Sequence, residues 1–189
     1  LPDVEITEDM DIPGWTKPGR WFYDQIGNGK IRADSAKLFQ GWYLTDFSIG
    51  TDCTNGTQVF QDDPFSLVIA SLREHEKIGK FDNTPYGSRF AITNDEWRNV
   101  VCPSIAEELG FRPEQVRLER AIEFNAIGNL YDPNRGKFNI LEWFEDIFGD
   151  SSRLSGGDCG DGGLSDVYCC GSNSRSADIA GRPLVSFVS

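Results

Sequence analysis

The sequence predicts a mixed α+β fold: a small β-hairpin portion followed by a helical half, with extended N- and C-terminal arms. Three observations lead there. Aromatic and β-branched residues concentrate in residues 37–60, apolar residues recur at helical spacing between residues 64 and 148, and residues 150–189 are dominated by Gly, Ser and Cys. At 39% hydrophobic and 12% aromatic, with thirteen Phe and five Trp in 189 residues, the chain has ample material for a core. The division that follows is an aromatic and acidic arm over 1–32, a core domain over 33–149, and a C-terminal arm over 150–189.

The first eleven residues hold five acids, Asp3, Glu5, Glu8, Asp9 and Asp11, and no base. Behind them Pro13 and Pro18 break local structure. Trp15, Trp21, Phe22 and Tyr23 are too apolar to be left in water, so the arm is expected to lay them on a surface, either its own core or a partner subunit. In 37–60, LFQGWYLTDFSIG and TQVFQ flank Asn55-Gly56, the dipeptide of a tight turn, and predict a hairpin.

Asp63 and Pro64 then open a helix carrying Phe65, Val68, Ile69 and Leu72 on one face, closed by Gly79. Gly87–Thr93 is a short strand candidate. Thr93 and Glu96 have capping-box spacing before a second helix, which Pro103 should kink or divide. Pro113 opens a long helix with Leu118, Ala121, Ile122, Ile127 and Leu130 at helical spacing. Asn139 and Glu142 cap a last one, in which Ile140, Leu141, Phe144, Ile147 and Phe148 share a face.

The tail cannot bury enough apolar surface to order itself, so disulfides, a ligand or a partner must hold it. Five cysteines, Cys53, Cys102, Cys159, Cys169 and Cys170, suit an oxidising compartment. The expectation is that Cys169 or Cys170 pins the tail to Cys53, Cys102 or Cys159, with Leu184–Val188 buried. The sequon at Asn55 and a start at Leu1 rather than Met agree with a processed chain in an organelle lumen, such as plastid or thylakoid, or in the extracellular space.

A net charge of −12 repels phosphate backbones and argues against nucleic acid as a partner. The longest clean apolar run is Leu67–Ala70, far short of a membrane span, which leaves peripheral association with a membrane complex.

Two loops present groups that could carry chemistry. Asp132, Asn134, Gly136, Phe138 and Glu142 resemble a degenerate EF-hand with one residue deleted, which implies calcium on Asp132, Asn134 and Glu142. The same residues also suit a plain turn. Gly157-Asp158-Cys159-Gly160 resembles the nucleophile loop of viral chymotrypsin-like cysteine proteases. Asp161 replaces the usual second glycine, and the only histidine available as base is His75. No C-x-x-C spacing supports zinc, and a leftover thiol is a possible attachment point for a pigment. Function is therefore expected to be that of a noncatalytic accessory or linker subunit binding other protein subunits. A photosystem or antenna assembly is one such setting; a small secreted hydrolase and a calcium- or ligand-binding module are the alternatives.

Overall fold

Residues 1–187 are described by the computed structural model, and they form a mixed α+β fold. In chain order the elements are β1 (Val4–Glu5), α1 (Arg20–Gly27), β2 (Lys37–Leu38), β3 (Trp42–Thr45), α2 (Ser66–Glu74), α3 (Asn94–Glu96), α4 (Cys102–Leu109), β4 (Val116–Leu118), α5 (Ala121–Leu130), β5 (Leu141–Phe148), β6 (Ser152–Gly156), β7 (Val167–Gly171), β8 (Ile179–Gly181) and β9 (Pro183–Phe187). They build a four-stranded sheet in the order β7-β6-β5-β8, a three-stranded sheet β3-β9-β4, and the pair β1-β2. β8 runs parallel to β5, and every other pairing is antiparallel.

The predicted last helix is thus a strand, and the reason lies in its position. β5 is covered on both sides: Trp143 packs with Trp97, Ile105 and Val185, and Phe144 packs with Phe22, Phe124 and Leu154. A strand buried on two faces carries a nearly continuous apolar run, which also satisfies a 3.6-residue template. Each of these two side chains contributes roughly 2 kcal/mol or more through burial. The predicted long helix after Pro113 likewise divides, into a 3₁₀ turn at Pro113–Gln115, strand β4 and helix α5. Pairing of Val116, Arg117 and Leu118 with β9 overrides their helical spacing.

Other elements are nearer to expectation. Thr93 and Glu96 form the capping box, with Glu96 N–H donating to Thr93 Oγ1 at 3.1 Å. The helix continues through a π-turn at Trp97–Val101 before Pro103, whose missing N–H cannot close a regular turn there. The start of the first predicted helix shifts by two residues: Asp63 Oδ1 accepts the Phe65 N–H at 2.8 Å, and α2 runs from Ser66. Asn55 and Gly56 take the left-handed φ of 56° and 86° that a tight turn needs. The hairpin around them is reduced to one bridge, Ile49–Gln61, because β3 pairs with β9 instead.

The 87–93 segment is irregular rather than a strand. Arg73, itself buried, donates to the carbonyls of Pro85, Tyr86, Ser88 and Phe90 and replaces a sheet ladder as their partner.

Both terminal stretches of the described residues are bound into this body. In the N-terminal stretch, α1 buries Phe22, Trp21 stacks on Phe148 at 5.6 Å, Tyr23 meets Phe22 edge-on at 5.3 Å, and Trp15 Nε1 donates to Asn125 at 2.8 Å. These four aromatics, candidates for a partner surface, serve this chain's own core. In the C-terminal stretch, residues 152–187 supply four strands, including β9 at the centre of its sheet. Leu184 and Val185 are buried as expected, Phe187 is 43% exposed, and Val188 lies outside the described residues.

Candidate functional site

Three arginines far apart in sequence meet in one buried ionic cluster. Arg89 grips Asp63 through Nε and Nη2 at 2.8 and 2.6 Å and reaches Asp46 through Nη1 at 2.6 Å. Arg182 holds Glu142 through Nε and Nη2 at 3.0 and 2.9 Å. Arg135 binds Glu119 and, at 3.2 Å, Asp132. The guanidiniums also lie over aromatic rings: Arg89 is 4.7 Å from the centre of Phe60, Arg182 5.1 Å from the same ring, and Arg135 5.5 Å from Phe124. Burial pushes Asp46 up, but Arg89 and Arg182 outweigh it and hold the carboxyl down at about 2. Glu142 also stays below its usual range against burial, held by Arg182, whereas burial of Glu119 wins and raises it.

This cluster takes in the residues of the EF-hand-like loop. Asp132, Asn134 and Glu142 do come together, around a cavity of about 10 Å³ also lined by Arg135 and Arg182. That is room for about one water. Each carboxylate is engaged by a guanidinium, and Asn134 takes part through its backbone N–H, which donates to Asp132 Oδ1 at 3.1 Å in a side-chain-closed turn. One flank of the loop is strand β5, not a helix. Among the described residues no group of three or more His, Cys, Asp or Glu side chains is placed to hold a metal ion. The donor set does not fit calcium; the turn reading does fit.

The cysteines are free thiols, which corrects the expected staple between Cys169 or Cys170 and Cys53, Cys102 or Cys159. Cys169 and Cys170 are neighbours on β7 and so point to opposite sides, one against the Phe144 cluster and the other against the Trp143 cluster. Cys102 is buried, and its thiol is pushed far up by burial. Cys159 is exposed on a loop whose backbone N–H donates to Phe138 O at 3.0 Å. His75 sits exposed at the end of α2 with Nδ1 2.8 Å from Ser71 O. Among the described residues no hydrogen bond joins it to a cysteine, so the nucleophile-and-base geometry of a protease is not assembled.

The most unusual surface is one that sequence reasoning passed over. β3 is an edge strand, and it is followed by a segment that continues to face water with apolar side chains. Trp42 is 84% exposed, and Leu44, Phe47, Ile49 and Val59 are exposed with it. Trp42 sits opposite Phe187 in the sheet. The alternation of Trp42 with Leu44, and of Phe47 with Ile49, was the available signal; sequence could not say that this alternating side faces outward. Compared with protein-family models, with curated proteins and with solved structures, the chain matches none.

Proposed function

We propose that this chain is a noncatalytic accessory subunit of a larger protein assembly, docking a neighbour through the open edge of β3. The observation that carries this reading is Trp42, nearly fully exposed on an edge strand beside Leu44 and Phe187. Large aromatic side chains at the centre of a docked surface are the ones that dominate binding, commonly at 2 kcal/mol or more each. An edge strand adds backbone donors and acceptors that an extended segment of another chain can pair with. The occupant fitting both features is an extended, apolar segment of a different protein laid along β3. The aromatic residues of the N-terminal arm pack on this chain's own core, so the reading places the attachment at β3 and the neighbouring Phe187 of β9.

The test is site-specific photo-crosslinking in cells that make the full assembly, with a benzophenone side chain at position 42, 44 or 67. Leu67 is 82% exposed on helix α2 rather than on β3, and serves as control. A discrete adduct with another protein from positions 42 and 44, and none from 67, is expected. Adducts spread equally over all three positions, or adducts only with a second copy of this chain, would overturn the reading.

A further inference from the structure

On the other side of β3 lies a groove of about 440 Å³ that the docking strip does not use. Four of the chain's twelve arginines line it, Arg32, Arg98, Arg117 and Arg120, in a protein of net charge −12. Tyr43, Phe39 and Ile147 give it apolar walls. Its size falls in the range of small-molecule sites.

Arg120 is spent, on Glu123 and on the carbonyls of Asp34 and Lys37 at 3.2 and 2.8 Å, whereas Arg98 keeps free donors. Arg117 and Arg120 share one buried carboxylate: Arg117 grips Glu123 with two bonds of 2.7 Å, and Arg120 Nε reaches it at 3.1 Å. Arg98 binds Glu145 through Nε alone, at 3.1 Å, and neither of its Nη groups has a hydrogen-bond partner among the described residues. Arg32 pairs with Asp34 at the exposed rim. Asp146, at the groove's inner wall, is buried and accepts the Ala121 N–H at 2.7 Å. Burial raises its pKa, which favours its neutral form.

A fifth arginine completes the picture. Arg153 is not itself on the groove's lining; it stands opposite the lining residue Ile147 across the β5–β6 pair, and its Nε is buried with no hydrogen-bond partner among the described residues. An orphaned guanidinium N–H costs free energy until an acceptor arrives. Burial and, next, the nearby Arg98 lower the pKa of Arg153; Glu145 and Asp95 do not offset them. Arg98, on the groove lining, and Arg153, opposite the lining residue Ile147, thus both carry unspent donors, which suits an anion that is not part of the chain.

We infer that this groove is a binding site for a small phosphate monoester, with the phosphate received by Arg98 and Arg153 and the organic part lying along Ile147, Tyr43 and Phe39. A phosphate monoester brings up to two charges and three acceptor oxygens, matching several free N–H donors better than one carboxylate does. The site is independent of the docking strip, so either can fail alone.

Isothermal titration of the full chain at physiological salt tests it, with phenyl phosphate, inorganic phosphate and benzoate as probes. Phenyl phosphate should bind saturably at one site, tighter than inorganic phosphate because of the apolar walls and tighter than benzoate because of the charge. Arg98→Gln and Arg153→Gln should each weaken it at least tenfold, while Arg112→Gln, at an exposed position outside the groove, should not. Thermal melting checks that the variants fold, and Arg98, a third exposed, carries the test if Arg153→Gln does not. Absence of saturable binding at millimolar phenyl phosphate, equal binding by Arg98→Gln, or benzoate binding as tightly would each overturn the inference.

Discussion

At the scale of single residues, the chain places its arginines where backbone or carboxylate would otherwise be stranded. Arg73 is surrounded by carbonyls and no carboxylate is among its bonded partners; burial draws its pKa down to about 10. Arg89, Arg135 and Arg182 instead convert five acids into a buried network. Removing one member of such a network leaves an uncompensated charge, and the loss exceeds what the pair contributed over apolar replacements. Asp46 makes the pH consequence specific. Its folded value of about 2 lies below the model-compound value of 3.8, so its stabilisation is complete above about 3.8 and is lost as pH falls through about 2. That difference corresponds to roughly 2 kcal/mol at neutral pH. Asp46→Asn should therefore lower the unfolding free energy in urea by about that amount at pH 7. The gap to wild type should close as pH drops from about 5 to 2. Glu119 and Asp146 shift the other way and favour the fold in acid, so the comparison with the variant, not the wild-type curve alone, isolates Asp46. A gap that stays constant over that range would show that Asp46 is not held charged by Arg89 and Arg182.

Between single residues and the whole lie the elements, and here legibility divides by how local the determining contacts are. The capping box at Thr93, the helix bearing Ile69 and Leu72, and the left-handed turn at Asn55-Gly56 are set by neighbours in sequence and were readable. β4, β5 and β9 were not, because each depends on a partner far along the chain: β9 on β3 and β4, β4 on β9, and β5 on β8 beside its hairpin neighbour β6. Apolar periodicity cannot distinguish a doubly covered strand from a helix. The glycines of the tail misled in the same way. Gly156 on β6 is not a sign of looseness: a Cβ there would run into the backbone carbonyl of Asp166, at the point where β6 and β7 begin to pair. Since the obstacle is backbone, it cannot swing aside. Gly156→Ala should cost about 2–4 kcal/mol, at or beyond the upper end of overpacking substitutions. Gly149→Ala, at a turn with open space around it, should cost only about 1 kcal/mol for its φ of 57°. Equal losses in chemical denaturation would mean that the β6–β7 contact is not as close as described. The candidate site was legible in part for the same reason: Asp132, Asn134 and Glu142 line one cavity and lie close in sequence, but Arg182, which takes Glu142, lies forty residues away.

At the scale of the whole molecule, the tail's order needs no cross-link. β9 inserts between β3 and β4, β8 lies along β5, and β6 and β7 extend the same sheet, so residues 152–187 are held by ladders on both sheets. The apolar residues Leu154, Val167, Ile179, Leu184 and Val185 are buried with them. A chain of this size can bury enough surface to fold without disulfides, and the five thiols are free. Two consequences follow for the purified protein. Its melting temperature should be unchanged by dithiothreitol, and limited proteolysis should not trim the chain back to residue 150, with or without reductant. The exposed loop around Cys159, between β6 and β7, is where a first internal cut is expected, since loop tips are the preferred sites of nicking. After such a cut the fragment carrying β7, β8 and β9 should remain associated under native conditions, because its hold on the body is strand pairing and burial rather than chain continuity. A melting temperature that drops in reductant would reinstate a staple among Cys53, Cys102, Cys159, Cys169 and Cys170. Rapid loss of everything after residue 150 would mean instead that a partner, and not this chain's own sheets, supplies the tail's order.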